Sequence, residues 1–83
     1  MATVELTSDV QRQALDLPKP IRARLYRVLE RLAEWPRVSG AKPLRGELAG
    51  RFRLRTGDYR IQFYVTGDIV TVEKIGHRDR FYD

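Results

Sequence analysis

The tripeptide Thr-Gly-Asp occurs twice, at Thr56–Asp58 and at Thr66–Asp68. It separates three runs in which apolar and polar residues alternate: Arg51–Arg55, Ile61–Val65 and Val70–Glu73. Glycine readily takes the positive φ that a two-residue hairpin turn demands, so each copy reads as a tight turn between antiparallel strands. A tight turn also fixes register. With Gly57-Asp58 as the loop, Phe52 faces Phe63 and Leu54 faces Ile61. On the other face Arg51 opposes Tyr64, Arg53 opposes Gln62, and Arg55 opposes Arg60. Apolar meets apolar and polar meets polar, which a one-residue slip would destroy. The same rule at the second turn sets Val65 against Val70, Phe63 against Val72, Gln62 against Glu73, and Arg60 against Ile75.

The residues before this meander predict a strand and two helices. Thr3 to Thr7 reads as a short strand with Val4 and Leu6 on one face. Ser8-Asp9-Val10-Gln11 fits a capping box, and Val10, Ala14 and Leu17 make one side of a short helix. Pro18 and Pro20 interrupt it. A second helix starts near Pro20, since proline is tolerated in a first turn, and carries Ile21, Leu25, Val28, Leu29 and Leu32 at helical spacing. Trp35-Pro36 ends it, because the residue before proline is pushed out of helical geometry. Two helices this close in sequence form an antiparallel hairpin. Residues 36–50 hold three glycines and two prolines and read as a loop. The expected architecture is α+β over residues 1–83, one domain: an N-terminal strand and a helical hairpin packed on a mainly antiparallel four-stranded sheet that ends in the meander.

Composition excludes several chemistries. The chain has 83 residues, no cysteine and one histidine, His77. A disulfide framework, a Cys-based zinc site and a thiol nucleophile are excluded, and one imidazole argues against a metal centre. No apolar run approaches a membrane span, and no signal-peptide core is visible. The expectation is a soluble cytoplasmic protein without cofactor or metal. Charge is the positive clue: 16 Lys+Arg stand against 11 Asp+Glu, and arginine supplies thirteen of the cations. Between residues 42 and 60 lie Lys42, Arg45, Arg51, Arg53, Arg55 and Arg60, against only Glu47 and Asp58.

The register places Arg51, Arg53, Arg55 and Arg60 on one sheet face. Like charges opposed across strands are destabilising, so folding alone does not ask for Arg55 opposite Arg60. Glu73 offsets part of the repulsion. The guanidinium fork matches phosphate in a bidentate way, and four arginines span too long a strip for one small anion. The face therefore suits a polyanion. After it comes Gly76-His77-Arg78-Asp79-Arg80-Phe81-Tyr82. A bend at Gly76 would return Arg78 and Tyr82 to the arginine face, where Tyr82 can stack on a base. Phe81, pointing the other way, would cover the edge of the core.

The segments Lys42-Pro43-Leu44-Arg45-Gly46, Arg51-Phe52-Arg53-Leu54-Arg55, Gly57-Asp58-Tyr59-Arg60 and Ile75-Gly76-His77-Arg78, with Tyr82, carry a resemblance. Together they resemble the RelE/ParE superfamily of toxins from type II toxin–antitoxin systems, over nearly the whole chain. RelE-type members cut mRNA in the ribosomal A site by letting the RNA 2′-hydroxyl attack the adjacent phosphate. The resemblance implies that Arg60 holds the scissile phosphate, that Arg78 is a second catalytic arginine, and that Tyr82, also in the catalytic set, lies by the substrate base. Arg51 and Arg53 take positions where RelE members often carry lysine, Arg53 among the catalytic set. Arg51, Arg55, Lys42, Arg45 and His77 are then RNA-binding. The implied partners are a cognate antitoxin, the ribosome and mRNA. ParE-type members share the fold but poison DNA gyrase, and this is the alternative. Arginine keeps its proton in proteins, so Arg51 and Arg53 cannot be general bases. His77, Glu73 and Glu47 are the candidate proton acceptors.

Overall fold

A computed structural model describes residues 1–81. The chain runs β1 (Thr3–Leu6), α1 (Ser8–Leu15), α2 (Lys19–Leu32), β2 (Lys42–Pro43), a 3₁₀ turn (Gly46–Leu48), β3 (Arg51–Thr56), β4 (Tyr59–Thr66) and β5 (Ile69–His77). The sheet order is β1-β5-β4-β3-β2. β1 lies parallel to β5, and all other neighbours are antiparallel. The sheet thus has five strands, not four. The extra one is Lys42–Pro43, inside the segment read as loop. Proline lacks the N–H that a central strand needs, but an edge strand accommodates it.

The helices start and stop slightly away from their expected ends. Thr7, not Ser8, caps α1: its Oγ1 accepts from the Val10 N–H at 3.3 Å. Gln11 donates to the Leu6 carbonyl at 3.0 Å, so it secures the strand end without closing a capping box on Ser8. α2 begins at Lys19, placing Pro20 in the first turn, and ends at Leu32, ahead of Trp35-Pro36. There the chain tightens: Glu34 and Trp35 N–H groups donate three residues back, to Arg31 and Leu32, at 3.0 Å each.

The core lies between the helices and one sheet face. Val10 and Ala14 of α1 and Leu25, Val28 and Leu32 of α2 meet Leu54, Ile61, Phe63, Val70, Val72 and Ile75. Burying each large aliphatic or aromatic side chain contributes about 1.5–3 kcal/mol, so this layer is what keeps so short a chain folded. Trp35 seals one end, edge-on to Phe52 at 4.8 Å and Phe63 at 5.4 Å.

All six β3–β4 pairs follow the register set by the Gly57-Asp58 turn, Arg55 opposite Arg60 included. The β4–β5 ladder follows expectation from Thr66↔Ile69 to Phe63↔Val72 and then shifts. Gln62 pairs with Lys74, not Glu73, and Arg60 pairs with Gly76, not Ile75. The cause is a bulge at Glu73. Unbroken alternation would put Ile75 beside Arg60 on the polar face. One extra residue returns Ile75 to the core, opposite Ile61 and 8% exposed.

Candidate anion-binding site

The β3–β4 hairpin concentrates the charge. In a two-residue hairpin the closing pair, here Thr56 and Tyr59, exchanges hydrogen bonds, so Arg55 and Arg60 form the next, non-bonded pair. Non-bonded pairs bring Cα atoms to about 4.5 Å and their side chains closest together. The pKa of Arg60 is lowered from its ordinary value. Loss of solvent is the largest cause, followed by the like charges of Arg55, Arg53 and Arg78, while Asp58 acts in the opposite sense. Arg60 remains charged at physiological pH, surrounded by three other guanidinium groups whose fields an anion would relieve.

Arg78 reaches this cluster without a bend at Gly76. β5 continues through His77, and the Arg78 N–H donates to the Asp58 carbonyl at 2.8 Å, which ties the tail to the hairpin tip. The Arg78 Nε is 4.0 Å from the Asp58 carboxylate and 3.7 Å from that of Asp79. The chain turns only afterwards, with the Arg80 N–H donating to the His77 carbonyl at 2.9 Å. The glycine at 76 serves packing: a Cβ there would meet the Phe81 ring at 3.6 Å, so anything longer would push the ring away. Phe81 is buried, and the Lys74 ammonium lies 4.5 Å from its ring centroid. Tyr82 lies outside the described residues.

Arg51 is engaged elsewhere on the same face. Its Nε donates to Glu73 Oε2 at 2.6 Å, and its guanidinium stands 5.6 Å from the Tyr64 ring centroid. Gln62 Nε2 donates to the same Glu73 oxygen at 2.9 Å. Glu73, on the polar face just at the bulge, thus meets Arg51 and is held as a counter-ion. His77 Nδ1 accepts the Asp79 N–H at 3.2 Å, and its ring meets Tyr59 edge-on at 5.4 Å. A neutral imidazole accepting at Nδ1 carries its proton on Nε2. Glu73 thus accepts twice through Oε2, and His77 accepts once through Nδ1. Glu47 is exposed in the 3₁₀ turn.

A cleft of about 400 Å³ opens beside the hairpin, lined by Arg53, Leu54, Arg55 and Arg60 on one side and Arg31, Ser39, Gly40 and Lys42 on the other. Lys42 is the register partner of Arg53. Arg45 is exposed just before the 3₁₀ turn and does not line the cleft. Arg31 is the residue that sequence reasoning missed. On α2 it reads as one more charge on the solvated side of an amphipathic helix. The available signal was Ser39-Gly40 after the Pro36 break, since Gly40 turns the chain at φ +86°. Among the described residues no three His, Cys, Asp or Glu side chains converge to hold a metal. The arrangement offers several fixed positive charges around an open groove, which suits the backbone of a polyanion.

The family model of the ParE toxin of type II toxin–antitoxin systems matches residues 4–82. No curated protein matches the chain in sequence. Among solved structures, a chain of the RelBE2 toxin–antitoxin complex from Mycobacterium tuberculosis is 30% identical, covers 93% of this chain and 98% of its own, and superposes with a TM-score of 0.80. The isolated RelE toxin of E. coli, 21% identical, shares the fold over 93% of this chain and 84% of its own at a TM-score of 0.77. A chain of the RelB–RelE complex of Methanococcus jannaschii, 23% identical, does so over 95% of each chain at 0.78. With its meander, its α-helix pair and the parallel first strand all accounted for, the chain belongs to the ParE toxin family, in the RelE/ParE superfamily of type II toxin–antitoxin toxins.

Proposed function

We propose that this toxin is a ribosome-dependent endoribonuclease that cleaves mRNA in the A site. The observation that carries this reading is the crowding of Arg53, Arg55 and Arg78 around Arg60. Arg55 directly opposite Arg60 is a like-charge pair, costly across strands unless an anion joins it. In the reaction, the RNA 2′-hydroxyl oxygen bonds to the neighbouring phosphorus and the bond to the 5′-oxygen breaks. The products are a 2′,3′-cyclic phosphate and a 5′-hydroxyl. Charge builds on the non-bridging oxygens as phosphorus becomes five-coordinate, and Arg60 and Arg78 stabilise it. Arg53 and Arg55 orient the strand. The proton leaving the 2′-hydroxyl passes to solvent or to a group supplied with the substrate, and the departing 5′-oxygen takes one up in turn. A toxin of this type works with a cognate antitoxin in the cytoplasm, and an acidic or amphipathic antitoxin segment would neutralise the arginine face.

The second reading, inhibition of DNA gyrase without RNA chemistry, is favoured by the ParE description of the matching family. Mapping RNA 5′ ends after brief induction separates the two. New 5′-hydroxyl ends within translated codons are expected for the nuclease, absent in the Arg60→Ala protein. Intact mRNA with double-strand DNA breaks would overturn the nuclease reading.

A further inference from the structure

Arg31 has no part in the chemistry assigned to Arg60, yet it forms a wall of the same cleft. Its Nη2 donates to the Ser39 carbonyl at 2.7 Å and lies 3.4 Å from Ser39 Oγ. That contact fixes the guanidinium against the loop, and a guanidinium has five donors in all. Across from it, β2 pairs with Phe52 and Arg53, so among the described residues the edge of β3 beyond Arg53 has no neighbouring strand. The Leu44 N–H donates to the Arg51 carbonyl at 2.8 Å, which shows that the peptide groups of Arg51, Arg53 and Arg55 turn toward this edge. The Arg55 peptide therefore faces the notch past the end of β2. Among the described residues Arg31, Lys42, Arg55 and Arg60 line the cleft with Arg53, and no carboxylate does. One phosphodiester carries a single negative charge, far less than this set can balance.

We infer that the notch is a second phosphate subsite, in which Arg31, Lys42 and the Arg55 peptide N–H hold the phosphodiester adjacent to the one gripped by Arg60, on single-stranded RNA lying along the sheet edge. This rests on the nuclease reading above. Arg60 is common to the two subsites, so a strand held at Arg60 enters or leaves through the notch. Consecutive phosphates on one strand match two cationic stations on one groove. The subsite also gives Arg31 and Lys42, which stand on different elements, one shared task.

The test uses short oligoribonucleotides with a 2′-deoxy sugar at the cleavage position and each phosphate in turn replaced by a neutral methylphosphonate. Binding is titrated against the wild type and Arg31→Gln, Lys42→Gln and Arg60→Gln. Two adjacent positions should be sensitive in the wild type. Arg31→Gln should weaken binding of the fully charged strand about tenfold, as loss of a charge-assisted contact does. It should also lower the salt slope by about 0.7, the value for one phosphate contact on a single strand. It should abolish sensitivity at one position only, next to the position silenced by Arg60→Gln. Lys42→Gln, which leaves the Ser39 clamp intact, should silence the same position as Arg31→Gln. Equal weakening at every position would make Arg31 a loop clamp and overturn the subsite. If Arg60→Gln silences its own position and neither notch variant silences another, the subsite falls and the nuclease reading stands. If the wild type is insensitive everywhere, both fall. Competition by a Glu-rich peptide that depends on Arg31 while RNA binding does not would also overturn it, assigning the notch to protein.

Discussion

Arg60 is placed where folding works against it and substrate binding works for it. Its lowered pKa means that the charged form is less favoured in the folded chain than in the unfolded one. For a cation this destabilisation is fully present below the folded pKa and is relieved only as pH rises through it. Because that range lies far above neutrality, Arg60 gives no slope to stability between pH 5 and 8. Replacing it should show the constant penalty: Arg60→Gln and Arg55→Gln are each expected to raise the Tm in calorimetry, while Arg60→Gln abolishes RNA cleavage. Inorganic phosphate should raise the Tm of the wild type more than that of Arg60→Gln. Glu73 is the converse case. Its carboxylate accepts from both Arg51 and Gln62, so Glu73→Gln should destabilise the chain by about 1–3 kcal/mol in urea titration, as weakening charge-assisted hydrogen bonds does.

At the level of elements, turn chemistry made most of the sheet legible and one bulge did not. Gly57 and Gly67 fix both hairpins, with φ of +59° and +61°, and the pairs nearest each turn follow from them. Gly57→Ala is expected to cost about 1–2 kcal/mol, the penalty of a left-handed backbone for a residue with Cβ, read from the chemical-denaturation midpoint. Gly76→Ala, meeting Phe81 at ordinary contact distance, should cost less. The break in the β4–β5 ladder left a trace in the sequence: straight alternation put Ile75 on the arginine face, an apolar residue among charges. Deleting Glu73 should remove the bulge and leave Ile75 opposite Ile61 in the core, so the Tm should fall no further than in Glu73→Gln, which loses the same contacts to Arg51 and Gln62. β2 was invisible because two residues, one of them proline, carry no period. The cap of α1 was off by one because Thr7 and Ser8 are adjacent hydroxyls, and only the end of β1 decides between them.

Across the whole molecule, the cationic groups sit on two structural layers that meet at a sheet edge. The sheet contribution was readable from register alone. Arg31 was not, because its place depends on how residues 36–41 carry the chain from the end of α2 to β2. Binding of single-stranded RNA should accordingly weaken with salt along a straight log–log line, with a steeper slope for the wild type than for Arg31→Gln. No helix among the described residues is long and apolar enough to cross a membrane.

The parallel pairing of Thr3–Leu6 with Ile69–Val72 bears on how the molecule comes into being. β1 has no strand to join until almost all of the chain has been made, so the closing contact has nearly the greatest sequence separation available. Such contacts meet their loop-closure entropy late, after the local hairpins have formed. The hairpin that pairs Arg55 with Arg60 is local in sequence, whereas Arg78 reaches it only through β5. A partly made chain that ends before β5 therefore carries the cationic hairpin without its second arginine. Val4→Ala, at the closing pair, is expected to speed unfolding and leave the folding rate almost unchanged in stopped-flow chevrons. The cationic site thus joins a local pair to a residue that only the far end of β5 delivers.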